Sequence, residues 1–107
     1  MKSTTLAWFF TTPRPLTLTK ARKRLGTRWT MHDSDYKRDS ISAPLTKGAQ
    51  ARIFEIGLDG FRVNLTVEAE NDADLEARVA KAKEKLFRHV LPVFDAREIE
   101  ESSPEEA

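Results

Sequence analysis

Arg52-Ile53-Phe54-Glu55-Ile56-Gly57-Leu58-Asp59-Gly60-Phe61-Arg62-Val63-Asn64-Leu65-Thr66-Val67-Glu68-Ala69 decides the fold. Two runs of β-branched and aromatic residues, 52–58 and 61–69, flank Asp59-Gly60. Asp-Gly between such runs marks a β-hairpin, because a type I′ turn needs positive φ at both central residues. In the second run Phe61, Val63, Leu65 and Val67 alternate with Arg62, Asn64, Thr66 and Glu68. That period of two predicts a strand with one buried face and one wet face. In the first run the apolar residues Ile53, Phe54, Ile56 and Leu58 fall on both faces, which places it more centrally in the sheet.

Beyond the hairpin, Asn71-Asp72-Ala73-Asp74 opens a helix that the spacing carries to about Leu91. Leu75, Val79, Ala82, Leu86 and Val90 recur at intervals of 4, 3, 4 and 4, a core-facing stripe. Asn71 or Asp72 supplies the cap. Acidic residues crowd the first turn, and Lys83, Lys85, Arg88 and His89 the end, both suited to the helix dipole. Pro92 ends the helix. Val93 and Phe94 are expected to begin a last short strand running to Ile99. Residues 100–107 are acidic and are expected to form a disordered tail beyond a single domain, 1–99.

Toward the N-terminus, Thr4 to Thr11 reads as a strand whose Trp8-Phe9-Phe10 run breaks alternation, so either both faces are covered or one ring is exposed. Pro13 and Pro15 end it. Residues 16–29 admit two readings. Leu16, Leu18 and Lys20 alternate as in a strand; Leu18, Ala21, Leu25 and Trp29 fall on one face of a helix. The helix, from about Thr19 to Leu25, is favoured, with Thr17 or Thr19 as cap and Gly26 as stop. It sends Arg22, Lys23 and Arg24 to solvent. Residues 27–32 read as a strand and Asp33-Ser34-Asp35 as a turn. The span 33–50 reads as a long loop with Ile41 in a short strand.

The expected fold is α+β: an antiparallel sheet of four to five strands with one long C-terminal helix and a shorter helix packed on it. The element order permits a split β-α-β, ferredoxin-like layout.

The chain of 107 residues is 39% hydrophobic and 33% charged, enough for one modest core. It has no cysteine, which excludes disulfides and thiolate metal sites. No apolar run approaches the roughly 20 residues of a membrane helix, and residues 6–10 are too short for a signal-peptide core. A soluble, cytoplasmic protein is expected. The net charge of +1 hides a division. Residues 1–52 hold 11 Lys and Arg against three Asp, a net +8; residues 53–107 hold seven against 14 Asp and Glu, a net −7. Either the basic half meets an anionic partner or the two halves neutralise each other.

Nothing in the sequence carries catalysis. There is no phosphate-binding glycine loop and no nucleophile elbow. His32 beside Asp33 and Asp35 reads as a turn with capping aspartates rather than a metal site, and His89 as a helix-end cation. The chain is therefore read as non-enzymatic, with no cofactor and no metal. The candidate site is the basic segment Lys20, Arg22, Lys23, Arg24, Arg28 and Trp29: cations for phosphates and a ring for stacking, although Trp29 also suits the core. The expected function is a small binding module for an anionic partner, foremost nucleic acid. The alternative is a protein–protein adaptor or inhibitor, acting as monomer or homodimer through a sheet edge or the Trp8-Phe9-Phe10 run. No membrane association is expected.

Overall fold

The computed structural model describes residues 1–13, 16–32, 39–56 and 60–102. Their order is β1 (Lys2–Thr11), α1 (Leu18–Leu25), β2 (Thr30–His32), β3 (Ser40–Thr46), β4 (Ala49–Ile56), β5 (Gly60–Ala69), α2 (Asp72–Lys85) and β6 (Arg97–Ser102). One antiparallel sheet holds all six strands in the order β2-β3-β4-β5-β1-β6, so the expectation of four to five strands falls short. β2 to β5 form a meander. The alternating directions make β1 parallel to β2 and β5 parallel to β6. Each helix therefore links two parallel strands that have other strands between them.

The strand read too short is β3, which was expected only around Ile41 and spans Ser40–Thr46. Ser42, Ala43 and Pro44 carry weak β propensity, so the segment reads as loop, yet Ile41 pairs with Ile53 and Ala43 with Ala51 in a buried ladder. Pro44 stands at a register shift, where a missing N–H is tolerated. The tight two-residue hairpin turn is Lys47-Gly48, with Gly48 at φ +73°. At the Asp59-Gly60 hairpin, Gly60 is not in the turn. It pairs with Ile56 as the first residue of β5 and is not at positive φ, so the expected two-residue type I′ turn does not form. Gly60 is required for another reason: a Cβ there would meet the Ile56 carbonyl oxygen at 2.7 Å.

The cross-strand register sorts the two faces. Trp8 opposes Val63, Phe10 opposes Phe61 and Leu6 opposes Leu65, all on the face that α1 and α2 cover. Phe10, Phe61 and Phe94 form the centre of the core, their ring centres 5.1 to 5.5 Å apart. Phe9 points the other way and is half-buried.

Both helices start as their sequences dictate. The Thr17 side chain accepts from the Lys20 N–H at 3.2 Å, and the Asn71 Oδ1 from the Asp74 N–H at 2.8 Å. Leu86 and Val90 are buried as the stripe requires, but the winding changes after Lys85. A π-turn spans Leu86–Val90 and a 3₁₀ turn Leu91–Phe94. Pro92 accounts for this: it has no N–H to return to Arg88, and its ring crowds that carbonyl. Val93 and Phe94 are thus helical rather than strand, and β6 starts at Arg97 and runs to Ser102. The strand passes residue 99, where the domain was expected to close. Asp33, Asp35 and residues 103–107 lie outside the described residues.

Candidate functional site

Leu18 and Ala21 anchor α1 to the core, with Leu25 half-buried beside them. Helical geometry then sends Lys20, Lys23 and Arg24 outward, and all three are exposed. Arg28 follows in the turn and is also exposed. The two remaining members of the predicted segment do not join them. Arg22 is half-buried, and its Nε donates to the Trp29 carbonyl at 2.8 Å. That bond ties the 26–29 turn back to the helix. Trp29 is 5% exposed and belongs to the core, so it offers no stacking surface. The helical reading sent Arg22 to solvent because a helical wheel cannot see the chain folding back at Gly26, whose φ is +115°.

Grooves on either side of α1 extend the basic surface to residues distant in sequence. One, of about 440 Å³, is lined by Lys20, Arg24, Arg97 and Asp95 over Leu16 and Phe94. Asp95 is already engaged there with Arg97 at 3.2 Å. The other, of about 140 Å³, brings Arg28 together with Lys85 and His89 beside Leu25 and Trp29. Lys85 Nζ donates to the Leu45 carbonyl at 2.7 Å, which fixes its charge at the groove wall. Arg97, Lys85 and His89 carry no signal linking them to α1, because only the tertiary fold brings them near.

Among the described residues the ion pairs are Lys2–Asp72, Arg88–Glu84 and Arg97–Asp95. None involves Lys20, Lys23, Arg24 or Arg28. Among the described residues the acidic half therefore meets the basic half in an ion pair at Lys2–Asp72, and not at these four cations.

The opposite face of the sheet carries a second concentration of rings and cations. The register sets Glu100, Phe9, Arg62, Phe54, Ser40 and His32 in one row from β6 to β2. The Arg62 guanidinium carbon lies 5.0 Å from the Phe9 ring centre, and that of Arg52 5.7 Å from the Phe54 ring centre. Arg62 also donates to Asn64 Oδ1 at 3.3 Å, and Arg52 to Ser40 Oγ at 3.1 Å. His32 Nε2 and Ser42 Oγ share a hydrogen bond of 2.7 Å.

Among the described residues no group of three or more His, Cys, Asp or Glu is placed to hold a metal ion, and no helix is long and apolar enough to cross a membrane. Comparison with known proteins finds no family model, no curated protein and no solved structure that matches the chain.

Proposed function

We propose that the chain is a small, non-enzymatic, cytoplasmic module that binds nucleic acid through the phosphate backbone, using Lys20, Lys23, Arg24 and Arg28. The observation that carries the reading is that these four side chains are exposed on one short helix and its following turn, with no described carboxylate paired to any of them. Lys85 widens the patch through the groove it shares with Arg28, whereas Arg97 in the other groove is paired with Asp95. Arg22 acts in this reading as the strut that holds the turn carrying Arg28. Phosphates gather such cations, and the released counterions supply affinity. We read the topology as an expanded ferredoxin-like arrangement; that layout hosts many functions and argues for none.

A protein–protein adaptor, monomeric or homodimeric, is the second reading. It keeps one feature, the outer edge of β6, where Ile99 is 39% exposed. Glu98, Glu100 and Glu101 on that strand discourage edge pairing, and Trp8 and Phe10 are buried, leaving only Phe9 of the aromatic run near the surface.

Anisotropy of a labelled oligonucleotide against salt tests the proposal. The phosphate-binding reading expects measurable affinity at about 50 mM salt that falls steeply by about 200 mM. Absence of binding at the lower salt rejects it, and the adaptor reading then takes its place.

A further inference from the structure

The face of the sheet turned away from the helices pairs half-buried aromatic rings with guanidinium groups. Phe9 and Phe54 stand in one cross-strand row with Arg62 between them. At the usual spacing of about 4.8 Å between strands, the two rings sit roughly 10 Å apart. Arg62 is 2% exposed and lies against the Phe9 ring, so it packs the floor between the two rings rather than meeting a ligand. Arg52 is exposed beside Phe54 and can reach a ligand. The next rows add Asn64, Gln50 and Thr66, side chains that donate and accept hydrogen bonds.

Charge selects the occupant. On the described strands β2 to β5 this face carries the exposed Arg52 beside Phe54, with one carboxylate, Glu68, at its far end. Glu100 lies at the β6 edge. An anion that also presents flat rings fits the centre, over β3, β4 and β5. An apolar partner would strip water from Arg52 without replacing its interactions. A duplex hides the faces of its bases; a single strand exposes them for stacking on phenyl and guanidinium planes.

We propose that this face binds single-stranded nucleic acid, with bases stacked on Phe9 and Phe54 and a phosphate held by Arg52. The ligand class rests on the nucleic-acid reading above, but the residues are different and lie on the opposite side of the sheet from α1.

The test compares a labelled oligothymidylate, the matching oligouridylate and an abasic strand of equal length and charge. The wild type is expected to bind at least one base-containing strand roughly fivefold or more tightly than the abasic strand. Phe54→Leu and Phe9→Leu keep apolar bulk and remove the ring; each is expected to erase most of that preference and leave abasic binding unchanged. Substitutions on α1 are expected to weaken base-containing and abasic strands alike. Equal binding of all strands by the wild type overturns the sheet-face proposal while the α1 reading stands. Binding of none overturns both. Amide NMR shifts of the wild type on adding the preferred strand make the outcome independent of variant folding. Shifts at Arg52, Arg62 and Asn64 support the proposal; shifts confined to residues 18–29 overturn it, as does a stable dimer that covers this face and persists with the oligonucleotide in excess.

Discussion

At the scale of single residues, close approach rather than propensity explains two glycines. Gly48 combines φ +73° with a site where a Cβ would lie 2.6 Å from the Glu68 carbonyl oxygen and 2.8 Å from Arg78 Nη1. The same atoms are joined by Arg78 Nη1 donating to the Glu68 carbonyl at 2.7 Å, and the Glu68 N–H donates to the Gly48 carbonyl at 2.8 Å. Gly48→Ala must strain the backbone and push this knot apart, so a loss of about 1–3 kcal/mol is expected in urea unfolding. A neutral result would mean that the turn relaxes freely. Arg22 gives a second residue-scale prediction. Arg22→Gln removes a bond to the Trp29 carbonyl and should cost about 1–3 kcal/mol, because a half-buried acceptor loses a charged donor. Arg24→Gln, on an exposed side chain of the same helix, should stay within about 0.5 kcal/mol. Equal costs for the two would contradict the strut.

At the scale of elements, what was legible follows how local the determinants are. The caps of α1 and α2 sit next to the residues they serve, and Thr17 and Asn71 could be read directly. The two sides of β5 were legible because alternation from Phe61 to Glu68 is unbroken, although Arg62, on the side expected to be wet, is 2% exposed. β3 was legible only at Ile41, because Ser-Ala-Pro has no strand character until Ile53 and Ala51 lie beside it. β6 was legible in part: a last strand running to Ile99 was expected, but it starts at Arg97 and continues to Ser102, and its burial pattern never alternates. The basic segment was half legible: its charges could be counted, but whether Arg22 and Trp29 face out depends on the turn at Gly26. The row Phe9–Arg62–Phe54 was invisible, since it requires a register between strands about fifty residues apart in sequence. Leu86 tests the stripe of α2. It is fully buried where the α-helical winding gives way to the π-turn, and Leu86→Ala should cost about 2–5 kcal/mol in urea unfolding. A loss below about 0.5 kcal/mol would place that turn elsewhere.

At the scale of the whole molecule, the N-terminal strand is a central one. β1 lies between β5 and β6, with Lys2 opposite Ala69 and Ala7 opposite Ser102. Removing residues 1–6 should therefore abolish cooperative unfolding in circular dichroism, although terminal segments usually tolerate trimming. A truncated chain that still melts cooperatively would contradict the assigned order. The same order separates the two candidate surfaces, with the basic patch around α1 on one side and the ring-and-guanidinium face on the other. The central claim, that α1 and its following turn meet phosphates, is tested most directly by the salt dependence of oligonucleotide binding in wild type and in the variant Lys23→Gln, Arg24→Gln, Arg28→Gln. These three side chains are exposed and make no described ion pair, and Gln is about as good a helix former, so the variant should fold as the wild type does. The account predicts that the slope of log affinity against log salt falls by up to about 0.7 per lost phosphate contact on a single strand, and about 0.9 on a duplex. An unchanged slope, with binding intact, would contradict it.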